Sequence, residues 1–120
     1  MSSSERDTRA VPAAGPRPSR SAGSRPATAA VVVNWNGGAQ NVECLASLLA
    51  QDLAPWDIVF VDNGSVDGSA EEIARRFPGV IRLKNLENLG FGEGANQGAR
   101  AALAQGAELV FFVNNDVRLP

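Results

Sequence analysis

The chain has 120 residues, a formal net charge of −2, one Cys and no His. That length allows one small domain, a lone Cys excludes a disulfide framework or a Cys-cluster zinc site, and the lack of His excludes Ser-His-Asp and Cys-His nucleophile pairs and the H-E-x-x-H metal motif. The longest apolar runs, Ala29–Val33 and Leu109–Val113, are five residues each, too short for a transmembrane segment, and the near-neutral charge argues against a nucleic-acid partner held by phosphate neutralisation.

Charge is unevenly spread. Residues 1–28 hold five Arg against Glu5 and Asp7, whereas the rest holds six basic and eleven acidic groups, a balance suited to cations rather than polyanions. The segment 1–28 also carries six Ser and four of the seven Pro, with Val11 its only branched aliphatic. It cannot bury enough apolar area to offset its ordering entropy and is expected to be a disordered tail; it has no apolar core of a secretory signal.

From Ala29 the pattern changes. Ala29–Asn34 reads as a strand buried on both faces, and Gln40–Gln51 as a helix with Val42, Leu45, Leu48 and Leu49 on one side. Asp57–Asp62 is a second buried strand. Ser69 and Glu72 have capping-box spacing and open a second helix, with Ala70, Ile73, Ala74 and Phe77 inward and Arg75-Arg76 as a solvated end. After Pro78-Gly79, Val80–Lys84 alternates as a strand near a sheet edge. Glu93–Gln105 is a third helix with Ala95, Ala99, Ala102 and Leu103 facing inward, and Leu109–Val113 a fourth strand. Strands alternating with helices predict an α/β fold: a parallel sheet with right-handed crossovers. Cys44, beside the apolar face of the first helix, reads as a core residue.

The functional signal is positional. Ligands of open parallel sheets bind outside the carboxyl ends of the strands. Those ends run into Asn34-Trp35-Asn36-Gly37-Gly38, Asp62-Asn63-Gly64-Ser65 with Asp67, Asn85 followed by Asn88-Leu89-Gly90-Phe91-Gly92, and Asn114-Asn115-Asp116. Such residues make turns anyway. The opposite connections, Ala54-Pro55-Trp56, Pro78-Gly79 and Gly106-Ala107, carry few hydrogen-bonding side chains, and this lopsidedness predicts a polar binding crevice. Carboxylates among amides suit Mg²⁺ or Mn²⁺ with a nucleotide diphosphate. Trp35 reads equally as a nucleoside contact and as cover over its loop.

VVVNWNG (31–37), VDNGSVDGS (61–69), NLGFGEGANQG (88–98) and NND (114–116) together resemble glycosyltransferase family 2, in particular rhamnosyltransferase-like members with the GT-A fold. The resemblance runs from Ala29 to Pro120, the donor-binding half of that fold. It implies an inverting transferase that moves a sugar from a nucleotide-diphosphate donor to the hydroxyl of a glycan or lipid-linked acceptor. The expected setting is the cytoplasm, with peripheral association at the inner face of the membrane. Carried over by position, Asp62 would hydrogen-bond the nucleobase, and Asn34, Trp35 and Asn36 would line the nucleoside pocket. Asn88, Gly90 and Asn96 would face nucleotide and sugar. Asn114, Asn115 and Asp116 occupy the D-x-D position, with Asp116 binding the divalent cation. Asn114 departs from that pattern and removes one charge from the metal side. The family's general base is an Asp beyond the D-x-D strand. Here the sequence ends at Pro120, four residues after Asp116, so the base is expected beyond Pro120 and no catalytic residue is identified before it. Asp67 and Glu93 read as turn and helix-start residues. The chain is therefore expected to be the donor-binding part of a longer enzyme, inactive alone and poorly soluble, with the Phe111-Phe112 strand edge uncovered.

Three other readings stay open at this point. A non-catalytic nucleotide-binding fragment fits the same residues. Gly90–Ala95 matches the dinucleotide fingerprint of dehydrogenases but follows the third predicted strand, not the first. A nucleotidyltransferase would need a basic Gly-rich loop after the first strand, and Asn34–Gly38 has no Lys or Arg.

Overall fold

The computed structural model describes residues 9–11, 27–51 and 57–120. Five strands and three helices follow in the order β1 (Arg9–Val11), β2 (Thr28–Asn34), α1 (Gln40–Leu49), β3 (Asp57–Asn63), α2 (Ser69–Arg76), β4 (Ile81–Asn85), α3 (Phe91–Ala104) and β5 (Leu109–Asn114). They form one sheet of order β1-β4-β3-β2-β5. β2 to β5 are mutually parallel, as the alternation of elements predicts. β1 is antiparallel to β4 and makes a fifth strand. This differs from the expected disordered tail at residues 9–11: β4 offers free backbone donors and acceptors along its outer edge, and a short extended segment takes them whatever its side chains. The rest of 1–26, and the connection 52–56, lie outside the described residues.

Each strand's alternating side chains divide between two cores. Ala30, Val32, Ile58 and Phe60 pack with Cys44, Leu45 and Leu48 of α1 and Ile73 of α2. Ala29, Val31, Val59, Val61, Ile81 and Leu83 pack with Ala102 of α3 on the other face. The β-branched runs of β2 and β3 are thus buried on both sides.

The helices bury the expected Leu45, Leu48, Ile73, Ala95 and Ala102 and depart from expectation at other positions. α3 presents Gly94, Ala95, Gln97, Gly98 and Ala102 to the sheet, while Leu103 is exposed. A Cβ on Gly98 would lie 2.3 Å from Val31 Cγ1, so this face is built from small residues because helix and sheet approach closely. On α1, Leu49 is exposed and Asn41 takes a buried position instead. The capping box of α2 does not form. Gly68 is the cap residue, the Ser69 amide donates to Asp67 Oδ1 at 3.0 Å, and Glu72 pairs with Arg75 and Arg76. Cys44 is fully buried, and burial pushes its thiol pKa up, with the Asp116 charge adding to the shift.

Strand order reverses at β2, with β3 on one side and β5 on the other. The switch point of the sheet therefore lies at the carboxyl ends of β2 and β5. β5 forms the outer edge, with Leu109, Phe111 and Phe112 exposed. The residues after β5 turn back along α1: the Leu119 amide donates to Ser47 Oγ at 3.1 Å, and the Pro120 carbonyl accepts from Gln51 Nε2 at 3.1 Å.

Candidate functional site: an amide-rich rim at the switch point

Parallel register sets Asn34 beside Asp62, Asn63 beside Asn85, and Val33 beside Asn114. The polar side chains ending four strands therefore lie in one row. Because neighbours on a strand point to opposite faces, this row feeds two separate hydrogen-bond networks.

Asn34 is the hub on the α1–α2 face and is fully buried. Its Nδ2 lies 2.9 Å from Asp62 Oδ1, 3.0 Å from Ser65 Oγ and 2.8 Å from Ser69 Oγ. Its Oδ1 accepts from the Gly37 amide (2.9 Å), Asn41 Nδ2 (2.9 Å) and Asn115 Nδ2 (3.2 Å). One side chain thereby joins the loops after β2, β3 and β5 to both helix starts. A Cβ at Gly37 would sit 2.5 Å from Asn34 Oδ1 and 2.3 Å from Asn115 Nδ2, so only glycine leaves room here. On the α3 face, Asn85 Nδ2 donates to Asn63 Oδ1 (2.8 Å) and Gln97 Oε1 (2.8 Å), and Asn63 Nδ2 donates to the Gly90 carbonyl (2.9 Å). Buried amides satisfied in this way hold loops rigidly, since breaking one strands a buried donor or acceptor.

The expected site residues divide by depth. Asn34 and Asp62, expected to contact the nucleoside, lie beneath the rim. Asp62 is 2% exposed; its Oδ1 accepts from Asn34, its Oδ2 accepts from the Ser65 amide at 3.1 Å, and Lys84 Nζ stands 3.7 Å from Oδ2. Asn115 is half-buried and turns inward to Asn34 and Asn41. At the surface stand Trp35, 57% exposed, and Asn36, whose left-handed backbone (φ 51°) is one Asn tolerates. Asn36 Oδ1 accepts from the Val66 amide at 2.8 Å, and Asp67 accepts from the Gly38 amide at 3.0 Å, so the loops after β2 and β3 are tied together. The hydrogen bonds from Ser69 hold the Asp67 carboxyl below the usual carboxylate range.

Asn88 is exposed and accepts from the Gly90 amide at 2.8 Å, shaping the entry to α3; Gly90 caps that helix and Asn96 is exposed on it. Asn114 and Asp116 are exposed on either side of Asn115. Glu93, in the first turn of α3, pairs with Arg100 at 3.5 Å. Between Asp116 and Pro120 stand only Val117, Arg118 and Leu119, and Arg118 pairs with Glu43 of α1, so this closing segment brings no further carboxylate to the rim.

Asn41 and Gln97 belong to the networks but were not among the expected site residues. Asn41 falls at helical spacing with Leu45 and Leu48, and a polar residue at a core position of the α1 stripe was its only signal.

Among the described residues no group of three or more His, Cys, Asp or Glu side chains could hold a metal ion. The donor set near β5 is one exposed carboxylate, Asp116. That fits Mg²⁺ or Mn²⁺ only where substrate oxygens and waters fill the other positions.

The fold is shared with solved structures. The structure of a mannosyltransferase from Pyrobaculum calidifontis, in complex with GDP-Man and Mn²⁺, matches with a TM-score of 0.69 at 24% identity, over 82% of this chain and 30% of that one. TarS from S. aureus matches with a TM-score of 0.60 at 23% identity, over 76% of this chain and 28% of that one. The chain belongs to glycosyl transferase family 2, whose family model matches residues 29–120. It is 34% identical over 67 residues to the N-acetylglucosaminyl-diphospho-decaprenol L-rhamnosyltransferase of two Mycobacterium tuberculosis strains. That match covers 56% of this chain and 22% of the relative.

Proposed function

We propose that residues 29–120 form the donor-binding part of an inverting glycosyltransferase that takes a nucleotide-diphosphate sugar. The observation that carries this reading is the rim itself. Amide side chains fasten the loops after β2, β3, β4 and β5, leaving Trp35, Asn36, Asn88, Asn96, Asn114 and Asp116 exposed around the switch point. Asn36, Asn88, Asn96 and Asn114 offer both donors and acceptors for base, ribose and sugar hydroxyls, and Trp35 offers a face for packing. Asn34 and Asp62 support the pocket from below, and Asn115 ties the turn after β5 to the start of α1.

Asp116 is the residue assigned to a divalent cation, which when bound would neutralise charge on the departing diphosphate. Transfer with inversion also needs a base for the acceptor hydroxyl. Asp67 and Glu93 are engaged at a turn and with Arg100, and the base is assigned to no described residue. Part of a glycosyltransferase that binds donor without completing transfer is the form proposed for this chain. The name of the mycobacterial relatives, with its diphospho-decaprenol group, supports a lipid-linked acceptor, reached from the cytoplasmic side of a membrane. Peripheral association is the proposed mode; among the described residues no helix is long and apolar enough to cross a membrane.

The test is calorimetric titration with GDP, UDP and dTDP, each with and without Mn²⁺. At least one is expected to bind more tightly with Mn²⁺, and Asp116→Ala is expected to remove that gain while leaving metal-free binding in place. An Mn²⁺ effect unchanged in Asp116→Ala refutes the metal assignment, and tighter binding of NAD(P) than of all three diphosphates refutes the donor class.

A further inference from the structure

We propose that Asn41 and Asn115 form a lock that positions Asp116, a proposal resting on the reading of Asp116 as the metal-facing carboxylate. The residues after β5 close a turn in which the Val117 amide donates to the Asn114 carbonyl at 3.0 Å. Within that turn the side chains part: Asn114 and Asp116 stand exposed while Asn115 plugs into the start of α1. Its Nδ2 donates to Asn41 Oδ1 at 3.0 Å and Asn34 Oδ1 at 3.2 Å, and its Oδ1 accepts from Gln40 Nε2 at 3.3 Å.

Asn41 is what gives the lock a fixed orientation. It is fully buried, and its Nδ2 donates both to Asn34 Oδ1 at 2.9 Å and to the Gly38 carbonyl at 3.0 Å. With both donors committed, its carbonyl oxygen is left facing Asn115. The socket therefore presents two acceptors, Asn41 Oδ1 and Asn34 Oδ1, and demands a donor at position 115. Asn meets that demand; Asp is nearly the same size but brings only acceptors and a charge. The close approach at Gly37 serves the same purpose, since any Cβ there would occupy the space of Asn115 Nδ2. Asn41 and Asn115 are thus positioning residues: they touch neither donor nor metal, and act by holding the turn that carries Asp116.

The experiment uses the 120-residue chain with Mn²⁺ and GDP, UDP or dTDP as probes, in the parent, Asn115→Ala, Asn115→Asp, Asn41→Ala, the Asn41→Ala/Asn115→Ala double variant and Asp116→Ala. Mn²⁺ affinity at saturating nucleotide, nucleotide affinity without metal and the melting temperature are measured for each. The lock predicts that Asn115→Ala weakens Mn²⁺ binding roughly 10- to 100-fold, the usual effect of removing an outer-shell support. It leaves metal-free nucleotide affinity within about twofold, and Asn115→Asp weakens Mn²⁺ binding at least as much. The double variant is expected to be no worse than the weaker single one, since both break one connection. Asn115 lies in a half-buried turn, so Asn115→Ala reports even where Asn41→Ala fails to fold.

Three results overturn the proposal, and they are distinguishable. Mn²⁺ affinity retained in Asn115→Ala but lost in Asp116→Ala removes the lock and keeps the metal assignment. Equal losses with and without Mn²⁺ in Asn115→Ala make that residue a general support of the pocket. Retention in Asp116→Ala removes the metal assignment and the lock together.

Discussion

Asn34→Asp changes one NH₂ into an oxygen at the centre of the rim and tests whether Asn34 is the hub described. The new carboxylate would face Asp62 Oδ1 across the 2.9 Å now bridged by a hydrogen bond, with Ser65 Oγ and Ser69 Oγ beside it. The serine hydroxyls can rotate to donate; Asp62 cannot. Two unit charges at that separation repel by about 6 kcal/mol at an effective dielectric of about 20. The folded chain has a cheaper course, which is to place one proton between the two carboxylates. Starting from a carboxyl pKa of about 3.9, taking up that proton at pH 7 costs about 4 kcal/mol, and this smaller figure sets the loss. Lys84, 3.7 Å from the other oxygen of Asp62 but about half exposed, offsets only a little.

The shared proton raises a folded-state pKa, so the variant's stability is greatest at low pH and falls as pH rises. Folded Asn34→Asp holds one more proton than its unfolded chain between about pH 5 and 7, so its unfolding free energy should drop by about 1.4 kcal/mol per pH unit relative to the parent. Below about pH 4 the unfolded aspartates also protonate and the difference should level off. Urea unfolding of parent and variant at matched pH values measures it, and taking the difference removes the pH dependence they share. A difference that stays flat with pH, or a loss under about 1 kcal/mol at neutral pH, refutes the buried hub.

Two further outcomes follow from packing. Gly98→Ala would push a Cβ to 2.3 Å from Val31 Cγ1 and 3.1 Å from Val61 Cγ2. Overpacking should exceed the helix-propensity gain of about 1 kcal/mol and leave a net loss of about 1–2 kcal/mol, whereas Gly92→Ala on the same helix meets nothing within 4 Å and should be neutral to stabilising. Thermal unfolding checks this, and equal shifts in the two variants would contradict the close approach of α3. Phe112→Lys on the exposed edge strand should reduce self-association, read by light scattering and sedimentation, with little change in melting temperature; undiminished association would place the sticky surface elsewhere.

The parallel sheet was legible because β2 and β3 are uninterrupted apolar runs, a pattern that strands buried on both faces share with few other elements. α3 was harder. Beside the expected Ala95 and Ala102, its inward residues include Gly94, Gln97 and Gly98, which no hydrophobicity pattern selects; at Gly98 the space beside Val31 and Val61 is too narrow for larger groups. The capping-box spacing at Ser69 and Glu72 misled for a related reason: Asn34 claims the Ser69 hydroxyl from another strand end, which no window along one helix reveals. Strand ends located the site, but they could not separate exposed Asn36 from buried Asn34, two residues apart. That distinction comes from where β2 ends: Asn34 is its last residue and is bonded to Asp62, Ser69 and Asn41, whereas Asn36 lies in the loop beyond it with a left-handed backbone.

The rim is fastened almost wholly by groups that carry no charge. Asn34, Asn41, Asn63, Asn85, Gln97, Asn115, Ser65 and Ser69 neither titrate in the physiological range nor weaken by ionic screening. The loops should keep their arrangement while salt varies. The charged exceptions are Asp62 and Asp67, which take part in the fastening, and Asp116 and Lys84, which stand exposed beside it. A dependence of ligand affinity on salt can be read chiefly as a property of the contact with the ligand, because most bonds of the frame join uncharged groups.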